Sequence, residues 1–255
     1  MPLELVTVPC LADNYAYLVH DRDSGRTALI DAPEPGPILA ALGAHQWRLT
    51  DILITHHHDD HIQGVDALRA QTHARVYGAA ADAHRLPRLD DTLVNGSRFW
   101  IGSEEVHVID VPGHTVGHIA FLMPASGYAF TADTLMAGGC GRLFEGTARQ
   151  MYASLQKFAA LPPETLICSG HEYTTTNLRF AATLEPQSTA LISRIAEVAE
   201  LRSQGRPTVP VRLDIELATN PYLRAHLPAL KTAVGLADAD DVTVFSEIRA
   251  RKDKF

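Results

Sequence analysis

The stretch Asp51-Ile52-Leu53-Ile54-Thr55-His56-His57-His58-Asp59-Asp60-His61 decides how this chain is read. Its apolar half predicts a short buried strand ending at Thr55. Six residues able to ionise or to ligate follow without a gap, and a helix is predicted over residues 63–71. The cluster therefore falls on a strand-to-helix connection, a common address for catalytic groups. In extended backbone, side chains alternate, so His56 and His58 share one side while His57 points away to a supporting or solvent-facing role. Asp60 and His61 stand where the chain turns into the helix and can face a second point nearby. Such a density of ligand atoms after a buried strand packs poorly without a cation to neutralise and orient it. The spacing suits two adjacent metal ions rather than one.

Four ligands do not fill two metal sites, so others are expected after other strands. His114 follows the strand predicted to end at Val111, Asp133 ends the run Phe130-Thr131-Ala132, and His171 follows Leu166-Ile167-Cys168-Ser169-Gly170. Of the remaining histidines, His118 is expected to open a strand. His20, His45, His73, His84, His107 and His226 are expected to be structural or exposed. Cys10, Cys140 and Cys168 are an odd number and far apart, which argues for a reducing compartment and against a thiolate metal site.

Strands are predicted at residues 15–20, 26–31, 51–55, 105–111, 118–123 and 128–131, with helices at 36–42, 63–71 and 149–161. This pattern suggests two mixed sheets with helices outside. After His171 the character becomes helical: residues 175–184, 187–204 and 240–251 have helical spacing. Asn220-Pro221 and Leu227-Pro228 read as helix starts. The 255 residues are 46% hydrophobic, enough for a full core in one large domain plus a small one. A net charge of −8 works against a nucleic-acid partner. No run approaches the roughly 18–20 apolar residues of a membrane span, and no leader pattern opens the chain. The expected location is the cytoplasm.

The order His56-x-His58-x-Asp60-His61, then His114, Asp133 and His171, resembles the metallo-β-lactamase superfamily. Within it, Asp13-Asn14-Tyr15, Cys140-Gly141-Arg142, Glu145-Gly146-Thr147, Gly170-His171-Glu172-Tyr173-Thr174, Thr219-Asn220-Pro221 and the tail Arg249 to Phe255 are similar to the glyoxalase II family. The resemblance implies an α+β fold: an αββα sandwich over residues 1–172 and a small all-helical, substrate-binding domain over 173–255. It implies two divalent metal ions, zinc by default with iron or manganese as alternatives. His56, His58 and His114 would hold the first, Asp60, His61 and His171 the second, and Asp133 would bridge them. Asp60 and Asp133 would serve catalysis. Arg142, Phe144, Tyr173, Arg249 and Lys252 would contact the glutathione part of the substrate. Four positions depart from the family pattern. Gln63 and Ala132 replace glycines, Phe144 replaces a tyrosine, and Arg142 replaces a lysine.

The implied reaction is hydrolysis of S-D-lactoylglutathione and related thioesters by water activated at the metal pair, a step of methylglyoxal detoxification. The expected partner is this small molecule, bound by a monomer with no nucleic acid or membrane. A rival is a glutathione persulfide dioxygenase of the same superfamily, which would share His56, His58, His114 and Asp133. It would lack the helical C-terminal part, so residues 173–255 argue against it. A nuclease reading is opposed by the acidic charge and the absence of a basic module.

Overall fold

The computed structural model describes residues 2–255, which divide into two compact units: residues 2–110 with 117–132, and residues 111–116 with 133–255.

The first unit opens with β1 (Glu4–Cys10), β2 (Asn14–His20) and β3 (Thr27–Ile30), then α1 (Pro35–His45) and β4 (Asp51–Leu53). Next come α2 (Asp59–Ile62), α3 (Val65–Thr72), β5 (Arg75–Ala79) and β6 (Asp91–Leu93). The six strands form one sheet in sequence order, antiparallel from β1 to β3 and parallel from β3 to β6. Leu18, Leu29, Ile52 and Val76 pack with Ile38 and Leu42 of α1 and with Val65 and Leu68 of α3. β4, buried along its length, runs parallel between β3 and β5. Its carboxyl end delivers the histidine cluster, as expected for ligand sites of parallel strands. β7 (Arg98–Ile101), β8 (Glu104–Asp110), β9 (Ile119–Met123) and β10 (Tyr128–Ala132) complete this unit as an antiparallel ladder.

The second unit holds β11 (Leu135–Met136), β12 (Gly139–Cys140), α4 (Ala148–Ala159), β13 (Leu166–Ser169), α5 (Thr174–Leu184) and α6 (Thr189–Ser203). It ends with β14 (Val211–Arg212), α7 (Leu213–Thr219), α8 (Pro228–Ala233) and α9 (Asp241–Asp253). Thr147 and Gln150 close a capping box at the start of α4. Leu178 and Ala181 of α5 pack against Leu191 and Val198 of α6. No helix among the described residues is long and apolar enough to cross a membrane.

The predicted elements are present, with two differences after His171. β14 pairs antiparallel with β13, so the C-terminal part is helical except for these two residues. Asn220-Pro221 ends a helix instead of starting one: Asn220 caps α7 with φ −81° and ψ 115°. A proline disfavours helical backbone in the residue before it, so the helix stops there. Leu227-Pro228 does open a helix, with proline in its first turn.

Candidate metal centre

Hydrogen bonds fix which nitrogen faces inward for His56, His61 and His114. In the first unit Asp31 is the hub. It is buried, at the end of β3, and its φ of 57° turns the carboxylate back beneath the β4 terminus. Its oxygens accept from the Thr55 amide, the Thr55 hydroxyl and His61 Nδ1, each at 2.8 Å. The Thr55 hydroxyl proton is thus committed to Asp31. His56 Nδ1, 3.0 Å from the same hydroxyl oxygen, must donate to it. Both His56 and His61 therefore carry their proton on Nδ1 and present a bare Nε2. This is the arrangement in which an outer carboxylate orients a metal-binding histidine.

His56 Nε2 lies 3.2 Å from His58 Nδ1, and His61 Nε2 lies 3.7 Å from Asp60 Oδ2. Asn14 holds Asp60 through both its carboxylate, at 2.9 Å, and its backbone carbonyl, at 3.0 Å. The His118 ring stacks on His56 with centroids 4.6 Å apart. His57 turns the other way, toward Asp82 and Arg85.

In the second unit the Arg142 carbonyl sits 2.9 Å from His114 Nδ1. A carbonyl only accepts, so His114 also presents a bare Nε2. That atom lies 3.4 Å from Asp133 Oδ2, and His171 Nε2 lies 3.3 Å from the same oxygen. Gly141 lets the chain pass close: a Cβ there would meet the Asp133 carbonyl oxygen at 1.9 Å. Aromatic rings flank two of the candidate ligands. The Phe144 ring stands edge-on to His114 at 5.2 Å, and the Tyr173 ring stacks on His171 at 4.7 Å.

A bare imidazole nitrogen facing a carboxylate oxygen is two acceptors in contact, which requires a cation between them. A second proton on His114 would make it an imidazolium against Asp133. A divalent ion satisfies the same lone pairs, and nitrogen with oxygen donors suits zinc, iron or manganese. The residues present therefore fit a metal.

The remaining candidates lie in the second unit. Arg142 and Phe144 are exposed. Lys252 is half-buried, its Nζ 5.6 Å from the Phe180 ring centroid and 5.0 Å from that of Phe255. Burial, and after it the charges of Arg249 and Arg142, pull the Lys252 ammonium below its ordinary pKa. Arg249 is buried: it donates to the Cys140 carbonyl at 2.9 Å and to Asp253 at 2.9 Å, above the Tyr222 ring.

Residues 12–171 match the metallo-β-lactamase superfamily model, and residues 172–255 match the hydroxyacylglutathione hydrolase C-terminus model. A hydroxyacylglutathione hydrolase from Cereibacter sphaeroides is 65% identical over the full length of both chains, and one from Ruegeria pomeroyi is 57% identical over the same span. The chain belongs to the hydroxyacylglutathione hydrolase family. Among solved structures, the B3 metallo-β-lactamase BLEG-1 superposes on 66% of this chain and 91% of its own, with a TM-score of 0.61 and 25% identity. TTHA1623, solved in a di-iron-bound form, covers the same shares at a TM-score of 0.56 and 30% identity. For a hydroxyacylglutathione hydrolase family member, three residues escaped the reading of the sequence: Asp31, Asn14 as the holder of Asp60, and His118 as a stacking partner. Asp31 ends a predicted strand, as Asp133 does, and that shared position was the available signal.

Proposed function

We propose that this chain hydrolyses S-2-hydroxyacylglutathiones, S-D-lactoylglutathione among them, to a 2-hydroxy acid and glutathione at one binuclear metal centre. In this reading His56, His58 and His114 hold one ion, Asp60, His61 and His171 hold the other, and Asp133 serves both. The observation that carries it is the pair of histidine Nε2 atoms set against a single oxygen of Asp133. Two ions supply Lewis acidity and bring the pKa of a bound water near 7. Zinc is the ion we assign; the di-iron form of TTHA1623 supports iron as an alternative occupant.

The protein's own groups do the rest. Asp60, steadied by Asn14, accepts a hydrogen bond from the attacking water and aims it at the thioester carbon. The leaving thiolate belongs to a thiol with a pKa near 8.5, so it departs without a strong general acid. No cysteine competes as nucleophile: burial pushes Cys10 up to about 12 and Cys140 up to about 11. Arg142 contacts the glutathione moiety and Lys252 its glycine carboxylate; Arg249, expected beside Lys252 in that role, is buried on the Cys140 carbonyl and Asp253 and contributes its charge. Phe144 and Tyr173 flank the substrate. Residues 1–172 act as the catalytic domain and 173–255 as the substrate-binding domain. The match of residues 172–255 to the hydroxyacylglutathione hydrolase C-terminus supports hydrolysis over persulfide oxidation. We further read the chain as a cytoplasmic monomer without a nucleic-acid or membrane partner, and the charge of −8 supports this against nucleic acid.

The test is metal analysis with a thioester-cleavage assay on wild type and Asp133→Ala. The variant is expected to lose bound metal and at least about 10²-fold in turnover, the scale of losing a main electrostatic contributor. A variant keeping two ions and full turnover overturns the assignment of Asp133. Oxygen uptake with glutathione persulfide would favour the dioxygenase.

A further inference from the structure

His57 lies between two proposed ligands, yet its ring nitrogens are held in a triangle with Asp82 and Arg85. His57 Nδ1 is 3.2 Å from Asp82 Oδ2, and Arg85 Nη1 is 3.2 Å from His57 Nε2. Arg85 closes the triangle by donating from Nε at 3.2 Å and from Nη2 at 2.6 Å to Asp82 Oδ1. A guanidinium only donates and a carboxylate only accepts, so the triangle admits one tautomer: His57 neutral, with its proton on Nδ1. Asp82 is 1% exposed. It also lies directly on the backbone of Gly117, where a Cβ would fall 2.1 Å from its carboxyl carbon. The next residue is His118, whose ring stacks on His56. Asp82 thus braces His56 from two directions, through His57 along the chain and through Gly117-His118 across it.

We infer that Asp82, tied to Arg85, is a positioning residue for the metal ion held by His56 and His58, and that His57 is its lever. This rests on the reading that those two histidines hold an ion. The triangle fixes the ring of His57, which stands edge-on to the His58 ring with centroids 5.0 Å apart, so holding His57 also holds its neighbour. Asp31 holds His61 directly and reaches His56 only through the Thr55 hydroxyl, so Asp82 is the support that serves His56 and His58 without touching His61.

The test is a cobalt(II) titration of the metal-free protein, wild type against Asp82→Asn and Arg85→Met. An asparagine at 82 sets its amide donor against either His57 or Arg85, so no arrangement satisfies all three groups. Arg85→Met leaves Asp82 intact but without its cation, and serves if the first variant folds poorly. His58→Ala is the spectral reference for losing the same ion. Wild type should bind two ions. Both variants should bind one of them about 10–100-fold more weakly, the usual effect of removing an outer partner, and the other as tightly as wild type. The spectrum of the retained ion should match that of His58→Ala. Unchanged affinity for both ions overturns the inference, and so does an equal weakening of both, which marks general loosening. Wild type binding fewer than two ions overturns the binuclear reading itself and this inference with it.

Discussion

Ala132 stands immediately before Asp133 with a φ of 39°, in the left-handed region that L side chains enter at about 1–2 kcal/mol. Glycine adopts that backbone without penalty but loses more freedom on folding. Ala132→Gly is therefore expected to stabilise the protein by about 0.5–1 kcal/mol in denaturant unfolding, with Asp133 left in place. Gln63, the other glycine replacement, sits at φ −61° and carries no such strain. Lys252 gives a pH signature. Its pKa is lowered by burial and by Arg249 and Arg142, so it sheds its proton at a lower pH than an ordinary lysine. The charged form is the one that binds a carboxylate. KM for a glutathione thioester is expected to rise as pH climbs through this lowered pKa, and Lys252→Met to show a raised KM already at pH 7 with no such step. Initial rates across alkaline pH check both. The candidate ligands were legible in the sequence because metal binding concentrates rare residue types at fixed spacings. Asp31 was not, because a single aspartate at a strand end is ordinary until the chain folds His61 and Thr55 onto it.

Among elements, the strands whose apolar residues form a plain run were the readable ones. β1 was missed because Pro9 argues against a strand, and the structure resolves this by placing β1 at a sheet edge, where a missing amide donor is tolerated. β5 was missed because Gly78 interrupts a short run that begins with a charge. Asn220 misled for another reason: its side chain serves a distant partner. Its Nδ2 donates to the carbonyls of Met136 at 3.2 Å and Gly139 at 2.9 Å, in and beside the β11–β12 hairpin. Its Oδ1 caps the Tyr222 amide at 3.0 Å. All are buried, so Asn220→Ala strands two acceptors and a donor that water cannot reach. About 2–3 kcal/mol of stability is expected to go, since each orphaned buried group costs about 1–3 kcal/mol. Thermal melting of the variant measures it.

Over the whole molecule, the fold class followed from the sequence but the compact units did not. The chain passes from one unit to the other after Asp110, Val116 and Ala132, so the second unit gathers six residues from between β8 and β9. Ligand-type residues fall in both: His56, His58, Asp60 and His61 in the first, His114, Asp133 and His171 in the second. If they share two ions as proposed, chelation destabilises as well as inactivates. An ion present at a thousand times its Kd contributes about 4 kcal/mol. Removing two should lower the melting temperature by about 10 °C or more, with recovery of melting and activity on adding zinc. Melting curves before and after chelation decide it.

Glu216 of α7 accepts from the Gly138 amide at 2.9 Å, Asn177 of α5 donates to the Ala137 carbonyl at 3.1 Å, and Asn220 reaches the same turn. The helices therefore read the β11–β12 turn residue by residue through buried polar bonds. Recombination that traded residues 173–255 between distant relatives would separate these partners. The C-terminal part is thus not a freely exchangeable cassette, and its inheritance is bound to the six residues from Leu135 to Cys140.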